Sequence, residues 1–255
     1  SLALGLSLLA AGPVGSIAPD DGEQLLTIDH YVPVRSMVPA ITGQQTQIYV
    51  RERVKAGAAL RGASSGIVLF IHGAGTPAEV AFDVPYQDYS WMAYLARAGY
   101  DVFSMDTTGY GRSTRLPAMN DPCNLSQEQQ KQFVPSLIAK PCQPSYPNQL
   151  TTIASDWNDI GAVVDYLRSL RRADRVSLVA WSLGGPRSAG YAAQNPDKIE
   201  KLVLLAPAYR RDESAAQPAL PAPGVAFNTQ SRADFDAHWE RQVGCAEQYD
   251  PPASQ

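Results

Sequence analysis

Residues 176–191 read VSLVAWSLGGPRSAGY. The first six form an apolar run of the kind that makes a buried strand, and SLGG then breaks the run with small residues before a helix-forming stretch. The spacing predicts a strand, a sharp turn at Ser182 and a helix. A serine at such a turn stands at a helix N-terminus, where free N–H groups and the dipole favour negative charge. That suits a nucleophile whose reaction develops an oxyanion, and it equally suits an ordinary helix cap. The flanking sequence has to decide between the two.

Working upstream, GIVLFIHGAG (66–75) and DVFSMDTTGYG (101–111) are two more apolar runs, each closed by a glycine-rich turn. Such runs suit strands buried on both faces of a mostly parallel sheet. Between them, WMAYLARAGY (91–100) has helical spacing. IASDWNDIGAVVDYLRSLR (153–171) predicts an amphipathic helix with Ile160, Val163, Val164 and Leu167 on its apolar stripe. Arg171 and Arg172 at its end read as cations suited to the helix dipole. Downstream, IEKLVLLAP (199–207) is a further strand. Nearer the start, 24–38 and 46–54 alternate apolar and polar residues, as antiparallel strands with one solvated face do. Strands alternating with helices imply an α/β fold, a mostly parallel doubly wound sheet with helices on both faces. Residues 24–207 make up this core.

After Pro207 the texture changes. Residues 208–230 are rich in Ala and Pro, and 231–250 predict a helix capped by Ser231 or Asp234, with Phe235, Trp239 and Val243 on one face. Residues 208–255 therefore read as a lid segment. Its aromatic residues, Tyr209, Phe227, Phe235 and Trp239, are read as lid core ahead of pocket lining.

Composition narrows the function. The chain has 255 residues, 45% hydrophobic and 18% charged, with a net charge of -4. This permits a sizeable core and supplies no basic run for binding nucleic acid. Residues 1–23 form an apolar arm or signal-like segment, with Ser16, Ile17 and Ala18 as a small-x-small cleavage site; the run is too short and too broken by Gly and Pro to span a membrane. Export to the periplasm or outside the cell is the expectation. Cys123 and Cys142 bracket a polar insertion and suit a local disulfide in an oxidising compartment, while Cys245 is left over. No CxxC occurs and the three histidines are far apart, so no metal site is expected. GYGRST lacks the lysine of a phosphate loop and the spacing of a dinucleotide turn, and no cofactor is implied.

Three features now stand in order: FIHGAG, MDTTGYGRS and AWSLGG. Together they resemble the α/β-hydrolase fold family. Its nucleophile elbow, usually G-x-S-x-G, reads here A-W-S-L-G, with Ala180 in place of the first glycine. The resemblance implies Ser182 as nucleophile and the backbone N–H groups of Leu183 and Ala74 as the oxyanion hole. It implies structural roles for His72, Asp106 and Arg112, because the family places its base after the nucleophile.

The same resemblance implies an acid and a histidine downstream of Ser182. Only His238 follows, on the lid helix, and it reads as a weak candidate. Asp212, Glu213 and Asp250 are acids more in keeping with solvated charges. Six strands are countable where the family has eight. The expectation is an N-terminal part of a longer serine hydrolase, its base and acid on a complementary chain from a cleaved precursor. The expected substrate is a small-molecule carboxylic ester. A proline-type aminopeptidase or amidase, or a non-catalytic ligand-binding relative, are the alternatives.

Overall fold

The computed structural model describes residues 24–61, 66–209, 220–241 and 244. The N-terminal arm (1–23), Asp212, Glu213, Cys245 and Asp250 lie outside them.

The alternating segments form a hairpin. β1 (Leu25–Arg35) runs antiparallel to β2 (Gln45–Lys55), with Leu25 opposite Lys55 and Arg35 opposite Gln45. Alternation buries Val32 and Val34 of β1 and leaves their neighbours in solvent. A short helix, α1 (Ala56–Arg61), follows. β3 (Ile67–Ile71) and β4 (Asp101–Met105) are buried at every position, as strands covered on both faces must be. Between them come α2 (Ala78–Phe82) and α3 (Trp91–Arg97), the latter capped by Ser90 Oγ accepting from the Ala93 N–H at 2.9 Å. Then follow α4 (Gln127–Gln130), α5 (Ile153–Arg171), β5 (Val176–Trp181), α6 (Gly184–Gln194), β6 (Ile199–Leu205) and α7 (Arg232–Glu240). On α7 both expected cap residues act together: the Asp234 N–H donates to Ser231 Oγ at 3.1 Å, and Ser231 Oγ donates to Asp234 Oδ2 at 2.6 Å.

The strands make one sheet in the order β1-β2-β4-β3-β5-β6, parallel from β4 to β6. On one face, Leu69, Ile71, Phe103 and Leu178 pack against Ile160, Val163, Val164 and Leu167 of α5 and Tyr191 of α6. On the other, Val68, Phe70 and Val102 pack against Phe82 of α2 and Met92 and Ala96 of α3. The sheet is doubly wound, as expected.

Arg171 departs from its reading as a dipole-facing cation. It is buried and bridges Glu52 of β2 and Asp101 of β4. The spacing explains this, since position 171 lies four residues beyond Leu167 on the buried stripe. A guanidinium placed there needs buried carboxylate partners.

The polar insertion does not stand alone. Cys123 and Cys142 are joined in a disulfide, with Cα atoms 5.3 Å apart and a sequence separation of 19. In the chain-entropy treatment a loop of this size stabilises by about 3 kcal/mol. Inside the loop, buried Gln130 donates to the carbonyls of Cys123 (2.9 Å) and Leu125 (3.0 Å) and accepts from the Cys142 N–H (2.8 Å). The end of the insertion meets the lid segment: the Gln149 N–H donates to Ala222 O at 2.9 Å, and Gly224 N–H to Pro147 O at 3.1 Å. Leu116, Leu150 and Ala226, with Val38 and Ile41 from the hairpin turn and Phe227 beside them, form a small separate core. Among the described residues, no helix is long and apolar enough to cross a membrane.

Candidate active site

The C-terminal ends of β3 and β5 meet at Ser182. Directly after β5 the chain turns through Ser182, whose φ of 52° lies in the left-handed region, and enters α6. A non-glycine residue there is strained and is held by its surroundings. Here the surroundings are backbone: the Ser182 N–H donates to Leu205 O at 3.0 Å, and its carbonyl accepts from Gly185 (2.9 Å) and Ala208 (2.8 Å). Ala180 is fully buried and its methyl belongs to the main core, so alanine is accommodated where the family pattern has glycine. Two glycines permit the close approach. A Cβ on Gly184 would stand 2.5 Å from Ile71 O and 2.9 Å from His72 O, and one on Gly73 would stand 3.0 Å from Ser182 Cβ. The end of β3 thus lies in contact with both the elbow and the start of α6.

Ser182 is partly buried, and among the described residues its Oγ makes no hydrogen bond. The N–H groups of Leu183 and Ala74 likewise donate to no acceptor among the described residues. Ala74 is exposed and follows Gly73, which touches Ser182, so the structure brings together the three residues singled out for attack and oxyanion binding. His238 lies on α7, in the lid segment. That side chain is exposed on α7 and makes no hydrogen bond with Ser182.

His72 is fully buried. Burial, and then the nearby Arg187 charge, push its imidazole down to about 3, so it is neutral. The Thr107 N–H donates to Nε2 at 3.2 Å, which places the ring proton on Nδ1, 2.7 Å from the Gly73 carbonyl it donates to. The ring shapes the loop and has no free acceptor for proton abstraction. Asp106 also fixes turns, accepting from the N–H groups of Ala78 (2.8 Å) and Arg112 (3.0 Å). Arg112 pairs at the surface with Asp29 and Glu79, both at 3.1 Å.

Beneath this surface lies a polar layer that motif reading passes over. Arg187 of α6 is buried and pairs with Asp156 of α5 at 2.7 Å. Asp159, one turn along α5, accepts from the Thr108 N–H at 2.8 Å. The signal was present in the spacing. Asp156 stands four residues before Ile160, and Arg187 four before Tyr191, each on the buried stripe of its helix. Opposite charges on facing buried stripes have to meet. Among the described residues, no group of three or more His, Cys, Asp or Glu side chains is placed to hold a metal ion.

Burial raises the Asp159 carboxyl from its usual 3.8 to about 6. The fold therefore bears the cost of a buried charge near neutral pH. That cost is relieved as pH falls through about 6, and the relief is complete below the unfolded value of about 4. Asparagine at 159 keeps an acceptor for Thr108 and removes the charge. Asp159→Asn is expected to raise stability near neutral pH by about 2 kcal/mol and to flatten the pH dependence between about pH 4 and pH 6. Urea midpoints of both proteins across that range measure this, and equal midpoints near neutral pH would contradict it.

Comparison with known proteins places these features in context. The sequence model for the alpha/beta hydrolase fold matches residues 66–248. Similar solved structures include a predicted CIB-like hydrolase from Thermoplasma acidophilum, at 14% identity over 73% of this chain and 65% of that one, with a TM-score of 0.45. The thioesterase domain of the curacin biosynthetic pathway is 20% identical over 74% of this chain and 49% of that one, TM-score 0.45. Epoxide hydrolase I of potato, Solanum tuberosum, is 21% identical over 74% and 43%, TM-score 0.43. The chain spans less than two thirds of the length of each of these structures. No curated protein gives a significant match.

Proposed function

This chain belongs to the alpha/beta hydrolase fold family, and from that premise we propose that it is a serine hydrolase that cleaves a carboxylic ester through an acyl-enzyme on Ser182. The observation that carries the reading is the left-handed Ser182 between β5 and α6, whose Oγ and the nearby N–H groups of Leu183 and Ala74 make no hydrogen bond among the described residues. A strained turn at that point lifts the hydroxyl clear of the sheet and sets it at a helix N-terminus. Attack of Oγ on the ester carbonyl forms the acyl C–O bond and an oxyanion, which the two amides stabilise. A general base takes the hydroxyl proton and returns it to the departing alkoxide. Water, activated by the same base, then releases the acid. The chemistry needs no metal or cofactor.

The base and its supporting acid are proposed to come from a complementary polypeptide, arising from a cleaved precursor, that docks beside β6. Support comes from β6 itself. Leu202, Val203, Leu204 and Leu205 are 36–53% exposed, and among the described residues no strand pairs with the outer edge of β6. A bare apolar edge strand is an association site. An oxidising compartment, secreted or periplasmic, is proposed in keeping with the Cys123–Cys142 disulfide.

Labelling the assembled protein with a fluorophosphonate tests the reading. The expected result is one stoichiometric adduct, mapped to Ser182. No adduct in the assembled protein would replace the enzyme with a non-catalytic binding relative. Rates on nitrophenyl esters against prolyl amides separate the esterase from the peptidase.

A further inference from the structure

We infer that Arg187, locked by Asp156, is a positioning residue that aims the Ala74 N–H into the oxyanion site. The inference rests on the serine-hydrolase reading above and adds to it a device that no motif records.

Arg187 sits on the second turn of α6, 2% exposed, and Asp156 on α5 is 4% exposed. Arg187 Nε donates to Asp156 Oδ2 at 2.7 Å. Its Nη1 reaches the carbonyl oxygens of His72 at 3.2 Å and Gly73 at 3.4 Å. The guanidinium also lies over the Tyr110 ring, 5.6 Å from its centroid, and Tyr110 in turn packs on His72 with centroids 4.5 Å apart. One cation therefore joins α5, α6, the end of β3 and the turn after β4.

The consequence follows from peptide planarity. The carbonyl of Gly73 and the N–H of Ala74 belong to one trans peptide unit and point in opposite directions. Two donors hold the Gly73 oxygen inward, Arg187 Nη1 and His72 Nδ1 at 2.7 Å. The Ala74 N–H then points the opposite way, away from the buried guanidinium, from a peptide whose Gly73 abuts Ser182. A neutral His72 supplies a single fixed donor, whereas Arg187 supplies a charge-assisted one with a planar, bidentate shape. Asp156 offsets the buried charge and fixes the fork. Buried charges are retained here for orientation, since an ion pair in a core adds little net stability.

The test uses the assembled hydrolase and three variants. Removing one partner alone strands a buried charge, so the principal variant removes both, Asp156→Leu/Arg187→Met. Relative to wild type, kcat on a nitrophenyl ester is expected to fall about 100-fold, as for loss of one oxyanion donor, with KM within about threefold. A trifluoromethyl ketone forms a hemiketal oxyanion on the serine, and its affinity is expected to fall by the same factor as kcat/KM. The affinity of the carboxylic acid product should hardly change. A purely structural role would not divide the two ligands in this way. Arg187→Lys, which keeps the charge and loses the fork, is expected to fall about tenfold, and Arg187→Met further than that. If the double variant is folded and holds kcat and ketone affinity within about threefold of wild type, the inference is wrong. If the double variant does not fold, Arg187→Lys decides, and activity within about threefold of wild type overturns the inference. Failure of wild-type Ser182 to take a fluorophosphonate would instead remove the serine-hydrolase reading itself.

Discussion

Ser182→Ala is expected to lower ester turnover by the proposed serine hydrolase by about a million-fold, the loss seen when a catalytic serine is removed from a working triad. Stability should hardly move. The Ser182 Oγ makes no hydrogen bond among the described residues, so its removal breaks no hydrogen bond there. The left-handed φ of 52° is imposed by backbone bonds to Leu205, Gly185 and Ala208, which alanine keeps. Serine and alanine pay a similar steric cost in that region. Paired measurements of kcat and thermal midpoint check both halves of the expectation. Near-normal hydrolysis by Ser182→Ala would remove this residue from the chemistry. A large drop in midpoint would show that the hydroxyl supports the fold.

Gly184→Ala is expected to do the opposite, harming the fold first and activity through it. The new methyl carbon would stand 2.5 Å from Ile71 O and 2.9 Å from His72 O. Both are backbone atoms at the end of β3, a strand paired on one side with β4 and on the other with β5. Neither can swing aside as a flexible side chain would. Either α6 shifts or the strand ladder deforms, at about 3 kcal/mol. A shift of α6 also carries the Leu183 N–H and the Ser182 turn with it, and a displacement of about 1 Å at a reacting centre costs roughly 100-fold in rate. Denaturant midpoints and kcat of the residual folded protein measure the two effects. A variant as stable as wild type would mean that α6 has room against β3.

How far the sequence foretold this structure differs by element. The helix predicted over 153–171 matches α5 in full, because its apolar stripe is long and its caps are local. β3 and β4 announce themselves as unbroken apolar runs, and β1 and β2 by alternation. The short helices α2 and α4 carry no periodic signal. α4 lies in a segment held by buried Gln130 and the disulfide, which are tertiary and not local causes. The packing of the insertion against residues 222–229 is likewise invisible to periodicity, since it joins Gln129 to Thr229 across 100 positions. In the candidate site, the sharp turn at Ser182 is readable because backbone geometry restricts which residues stand there. The Arg187–Asp156 pair leaves no motif, since its residues lie 31 positions apart on different helices, and shows in the sequence only as opposite charges on two buried stripes.

The backbone of Ser182 is tied to β6 and not to the middle of the sheet: its N–H bonds to Leu205 O, and its carbonyl accepts from Ala208 just beyond that strand. In hydrogen-exchange terms, the Ser182 amide belongs to the same opening unit as β6, the outermost strand among the described residues. Edge strands open more readily than buried ones. Deuterium uptake at Ser182 therefore reports how firmly the rim of the sheet is closed, and anything that seats against β6 slows exchange at this serine without touching it.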